Sequence, residues 1–188
     1  MSPTDEYLVE RCREGDLGAY ALLVDRYRAR IFNLILRLVG NREDAEDLAQ
    51  EVFVRAYQGL HTFDATQRFS PWLYRVATNH CASALRRKRL PTVPLIIGEG
   101  EDAYELPLPD LSAEPERHWL RREERQEIHD AILALPERYR VAILLYHMEE
   151  LSYEGIAVVM QVPLNTVRTF LHRGRALLRQ ALEGVAAP

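Results

Sequence analysis

Residues 151–182 read LSYEGIAVVMQVPLNTVRTFLHRGRALLRQAL, and their spacing decides the architecture. Ser152 is a natural N-cap for a short helix whose inward residues are Ile156, Ala157, Val159 and Met160. Gln161-Val162-Pro163 turns the chain, and a second helix starts near Leu164. On that helix Val167, Leu171, Gly174 and Leu178 recur at spacings of three and four and face inward. Asn165, Arg168, Thr169 and His172 share the opposite face.

A short helix, a tight turn and a second helix with a polar outer face fit the major groove of duplex DNA. Arg168 has the donors for a guanine edge and Asn165 for an adenine edge, while Arg173, Arg175 and Arg179 suit phosphates. A solubilising face on an ordinary helical hairpin accounts for the periodicity equally well. Residues 164–182 hold four Arg and no acid, and this favours DNA because a merely solvated face mixes signs.

Outward from this motif the chain continues to read as helix. Leu17 to Val39 carries apolar residues at helical spacing and stops at Gly40-Asn41. A second helix is predicted from Arg42 to Leu60, with Ala45, Leu48, Ala49, Val52, Phe53 and Ala56 on its apolar stripe. A loop, 61–68, follows. Ser70 as N-cap and Pro71 in the first helical position predict a third helix, ending near Arg89. Periodicity then vanishes: residues 91–116 hold seven acids and no Lys or Arg, and five prolines interrupt them. That composition predicts a linker. Helical pattern resumes near Glu116, with Pro136 interrupting it before Tyr139.

The expected fold is all-α: two small helical domains, 1–90 and 117–188, joined by an acidic linker at 91–116. A net charge of −4 speaks against nucleic acid only as an average. Charge is segregated, with Arg86, Arg87, Lys88 and Arg89 consecutive, and a phosphate backbone responds to the local cation density. Cys12 and Cys81 are isolated and read as small core residues in a reducing compartment. No apolar run is long enough to span a bilayer, and the first residues lack the build of a secretory signal, so a cytoplasmic protein without membrane insertion is expected.

Two blocks together resemble the extracytoplasmic-function sigma factors of the sigma-70 superfamily. One is DAEDLAQEVFVRAYQGLHTF (44–63) with FSPWLYRVATNHCASALRRKR (69–89), which is similar to sigma region 2. The other is LPERYRVAILLYHMEELSYEGIAVVMQVPLNTVRTFLHRGRALL (135–178), which is similar to region 4. The resemblance implies a factor that binds core RNA polymerase and directs promoter-specific initiation in response to stress, with no catalytic residue, metal or cofactor. It implies that Asp44, Asp47, Gln50, Glu51 and Arg55 face the polymerase, although an acidic solvated face is the plain alternative. Phe63, Asp64 and Phe69 would pocket a flipped base of the minus-ten element, and Arg75, Asn79 and Arg86 would track the melted strand. Arg87 and Lys88 would touch backbone, with a solvated helix end as the alternative; Trp72 reads rather as core. Asn165, Arg168, Thr169, His172, Arg173 and Arg175 would read the minus-thirty-five duplex. An anti-sigma partner is also implied. For the linker, a path toward the polymerase active site and a plain spacer both stand.

Four positions depart from the family pattern: Ser83 for Asp, Gly155 for Glu, Gln161 for Gly, and Phe170 for Arg or Lys. Two rival readings remain. A conventional helix-turn-helix regulator explains 151–182 but not the aromatic and basic residues of 63–89. An enzyme finds no support in six scattered His with no metal-ligand spacing, phosphate loop or nucleophile motif.

Overall fold

The computed structural model describes residues 3–64, 66–89 and 126–185. The expected linker at 91–116 and the start of the helix expected from Glu116 lie outside the described residues. Eight α-helices are present among those described: α1 (Asp5–Arg13), α2 (Leu17–Val39), α3 (Arg42–Gly59), α4 (Phe69–Arg89), α5 (126–134), α6 (Glu137–His147), α7 (Tyr153–Met160) and α8 (Leu164–Val185).

Local chemistry fixes most boundaries. Thr4, Asp16, Asn41 and Ser152 each accept a backbone N–H three residues on, satisfying a donor that the first helical turn leaves unpaired. Ser152 bonds to the N–H of Gly155, so the departure at Gly155 leaves this cap in place. Gly40 ends α2 in the left-handed region at φ 80°, where a Cβ would lie 2.8 Å from Leu133 Cδ1. Gln161 ends α7 in the same region at φ 55°, a conformation that disfavours a side chain by about 1 kcal/mol relative to glycine.

The start of α4 differs from expectation. The helix begins at Phe69, so Ser70 lies inside the first turn and is not the N-cap. The ring of Phe69 is drawn inward by Tyr27 at 5.7 Å and Trp72 at 5.6 Å. Pro71 remains in the first turn, where its missing N–H is not needed.

Helices α1 to α4 form one bundle around Leu23, Ile31, Leu34, Ile35, Val52 and Leu73, and α6 to α8 form a second group around Ala142, Leu144, Leu145, Ile156, Val167 and Leu171. The two groups pack directly, α4 on α7 and α2 on α6, through one continuous apolar core. Polar contacts lock the seam. Arg140 of α6 donates to the carbonyl oxygens of Leu38, at the end of α2, of Leu133 in the last turn of α5, and of Leu135 just after it. Tyr74 of α4 donates to Glu149, which is only 7% exposed. Cys12 and Cys81 are both buried free thiols.

Candidate nucleic-acid and polymerase interface

The outer side of α3 follows from its inner side. Because Ala45, Leu48, Val52 and Ala56 are buried, the positions between them turn to solvent. Asp47, Gln50, Glu51 and Arg55 are exposed and line one shallow depression together with Val54 and Gln58. Val54 is 57% exposed in the middle of this polar face. Sequence reading missed it, yet the signal was there: an apolar residue that falls off the helical stripe of its own helix. Asp44 behaves differently. It is half-buried and accepts from Lys88 Nζ, which ties α3 to the end of α4.

Phe63 and Phe69 do not form an open pocket. Both are buried, at 3% and 2% exposure, in an aromatic cluster with Trp72, with Phe63 at 5.9 Å from Phe69 and 5.3 Å from Trp72. The guanidinium of Arg13 lies over the Phe63 ring and donates to the Phe63 carbonyl. The apolar rings of Phe63 and Phe69 thus fill the bundle end. Asp64 alone of the three faces solvent. Its carboxylate accepts from the backbone and hydroxyl of Thr66 and from Gln67, and the Thr66 N–H holds it below the ordinary carboxylate range.

On α4, Asn79, Arg86, Arg87 and Lys88 are exposed and Arg75 is half-buried. His80 sits on the inner stripe at 5% exposure. Its Nε2 is 2.8 Å from Glu51 Oε2, though off the line of a good hydrogen bond. Burial, reinforced by Arg55, pushes its pKa below the usual imidazole value.

The last two helices match their expected geometry. Val167 and Leu171 are buried, and a Cβ on Gly174 would fall 2.9 Å from Ile143 Cγ1, so glycine is what lets α8 approach α6. On the other side Asn165, Arg168, Thr169, His172 and Arg173 are all exposed. Arg168 donates to Asn165 Oδ1 at 3.1 Å, presenting amide and guanidinium as a pair. Arg175 is half-buried: its guanidinium lies 4.9 Å from the Tyr146 ring centre, with His147 Nε2 3.4 Å from its Nε. Phe170 packs edge-on against Tyr139 at 5.7 Å, so apolar contact occupies the place where a cation was expected.

Among the described residues no cluster of His, Cys, Asp and Glu is arranged for a metal, and no helix is long and apolar enough to cross a membrane.

Comparison with known proteins agrees with this layout. The Sigma-70 region 2 model matches residues 23–90, and the Sigma-70 region 4 model matches residues 125–178. The chain is 41% identical over 182 residues to the RNA polymerase sigma-H factor of Pseudomonas aeruginosa, covering 95% of this chain and 94% of that one. It is 39% identical to the ECF RNA polymerase sigma factor SigW of Bacillus subtilis, over 93% of this chain and 94% of the other. Among solved structures, CnrH bound to the cytosolic domain of CnrY has the same fold, with a TM-score of 0.73 at 21% identity over 97% of this chain and 99% of that one. Two helical halves, region 2 before region 4, in a chain matching these relatives nearly end to end, mean that it belongs to the extracytoplasmic-function sigma factors, which direct promoter-specific transcription initiation.

Proposed function

We propose that this sigma factor binds core RNA polymerase through the outer face of α3 (Asp47, Gln50, Glu51 and Arg55 around Val54) and reads promoter DNA through two further surfaces. The outer face of α8 reads the minus-thirty-five duplex, with Arg168 and Asn165 at base edges and Arg173 and Arg175 on phosphates. Asp64, Arg75, Asn79 and the Arg86-Arg87-Lys88 run engage the melted minus-ten strand. The observation that carries the reading is the sidedness of α8: its inward residues Val167 and Leu171 are buried, and the opposite side is exposed and, from Leu164 to Leu182, free of acids.

No residue acts as a catalyst. Strand opening is driven by binding energy, since holding bases of the open strand offsets the loss of their stacking. An anti-sigma protein acting in the cytoplasm and releasing the factor under stress is the regulator this reading implies. CnrH, with which this chain shares its fold, is itself complexed with CnrY.

Run-off transcription with core polymerase and a pool of genomic promoters tests the proposal. New start sites that disappear when Asp47 and Glu51 are reversed in charge support it. No added transcript, together with tight sequence-specific DNA binding by the chain alone, would favour a conventional regulator.

A further inference from the structure

Between α3 and α4 runs an open groove of about 640 Å³, lined by Arg55, Asn79, His80, Ser83, Arg86 and Arg87. Three guanidinium groups border it. Among the described residues the acid paired with its lining is Glu51, a half-exposed carboxylate 2.8 Å from His80 Nε2 and 4.0 Å from Arg55. The His80 side chain is 4% exposed and contributes an Nε2 with no well-aligned partner, an unusual state for a buried polar atom. From Phe69 to Arg89, α4 contains no Asp or Glu at all.

Ser83 is central to this charge pattern. It stands where the resemblance leads one to expect Asp, and its hydroxyl donates to the Asn79 carbonyl at 2.9 Å while accepting from Arg86 at 3.3 Å. An aspartate there would pair with Arg86 and spend its charge within the helix. Serine orients Arg86 through a neutral hydrogen bond, and no carboxylate among the described residues pairs with that guanidinium.

We infer that this groove seats a backbone phosphate of the melted promoter strand, with Arg55, Arg86 and Arg87 as its cations, His80 as a neutral donor, and Ser83 as the residue that keeps the seat free of negative charge. The inference rests on the reading that α4 tracks the open strand. It also reassigns Arg55, expected at the polymerase, to the border between polymerase and DNA. Glu51 swings away from His80 as the phosphate arrives, which its exposure permits.

The test uses the full chain assembled with core polymerase, binding a promoter with a pre-melted minus-ten bubble across a salt series. Ser83→Asp places a carboxylate in the seat and Ser83→Asn a neutral group of nearly the same shape. The expected result is about tenfold weaker bubble binding for S83D, from one like charge facing the phosphate, and a salt slope shallower by about 0.7 for one lost single-strand phosphate contact. S83N is expected to stay within about twofold of the parent, where the added bulk alone gives no charge effect. Equal loss in both variants, or an unchanged slope in S83D, overturns the proposal. So does weaker association of S83D with core polymerase in the absence of DNA, which assigns the groove to a polymerase acid. Thermal stabilisation of the free chain by inorganic phosphate that S83D abolishes without changing bubble binding overturns the strand assignment in favour of a free-anion site. If the parent holoenzyme prefers bubble to duplex no more than S83D does, while polymerase binding and duplex reading persist, the strand-tracking reading itself fails.

Discussion

Tyr74 donates its phenolic hydrogen to Glu149, joining the middle of α4 to the turn that follows α6. The two residues are 75 positions apart and both are buried, so this bond closes the seam between the region 2 and region 4 halves. Arg30 Nε stands 3.9 Å from the same carboxylate. Burial raises the pKa of Glu149, while Tyr74, Arg30 and Arg37 pull it back. Burial likewise raises that of Tyr74, with its bond to Glu149 adding to the effect, so the phenol stays protonated and remains a donor.

Replacing Tyr74 by Phe removes this donor and leaves a buried carboxylate short of a partner. Loss of such a bond costs about 1–3 kcal/mol, which for a chain of this size lowers Tm by roughly 2–10 °C. Glu149→Gln keeps an acceptor for Tyr74 and is expected to lose less. Thermal unfolding followed by circular dichroism decides; a Tyr74→Phe variant as stable as the parent would show that the seam does not depend on this bond.

Stability is expected to fall on mild acidification. His80 and His147 both have folded pKa values below the ordinary 6.5, in each case from burial first, with Arg55 beside one and Arg175 beside the other. A lowered folded pKa means that the unfolded chain takes up protons first, so the stability held above pH 6.5 is lost as pH drops through the folded values. Glu149, whose folded pKa is raised, acts oppositely: its contribution grows as pH falls toward the ordinary carboxylate value. Denaturant titrations between pH 5 and 8 on the parent and on His80→Gln measure the balance, and the variant is expected to show the shallower fall.

Gly174→Ala forces a methyl group to 2.9 Å from Ile143 Cγ1, where α8 packs on α6. Overpacking of this kind costs about 1–3 kcal/mol. Adding Ile143→Ala makes room for the new methyl, so the double variant is expected to be more stable than the sum of the two single losses allows. Strict additivity in this cycle would place the strain elsewhere.

On α8 the two classes of contact separate experimentally. Arg168→Ala is expected to relax preference at one base pair of the minus-thirty-five element by about 1–3 kcal/mol. Arg173→Ala is expected to weaken all promoters alike and flatten the salt slope by about 0.9. Promoter titrations with holoenzyme read both, and identical profiles for the two variants would contradict the division of labour.

Val54→Asp places a charge at the centre of the exposed α3 face without touching the bundle core. An apolar anchor at an interface centre is typically worth about 1–2 kcal/mol or more, so affinity for core polymerase is expected to drop about tenfold or further while the unfolding transition is unchanged. Unaltered polymerase binding would move the contact off this face.

Much of the fold was legible because it is written locally. Apolar spacing and the Gly40-Asn41 stop bound α2 at Leu17–Val39 as expected, and the same logic separated the two sides of α8. Ser152 capped its helix as read. The residues whose surroundings could not be read are those whose partner lies elsewhere in the chain. Ser70 looked like a cap, but Phe69, held by Tyr27 and Trp72, starts the helix one residue earlier. Phe63 and Phe69, expected around a flipped base, are rings to which Tyr27 and Trp72 give a core to fill. Asp44 and Lys88 fell into separate functional sets, yet they form an ion pair with each other.

The sequence by itself determined the helices, the Ser152 cap, the helix-turn-helix and the exposed faces of α3 and α8, because a hydrogen-bonded turn and a 3.6-residue period are decided among neighbours. Only the tertiary structure decided that the two halves close on one another, that Glu149 is buried against Tyr74, and that Arg55, His80 and Arg86 line one groove. Those outcomes depend on burial and on pairings across tens of residues, and a carboxylate, an imidazole or a ring carries no mark in the sequence of which distant surface will cover it.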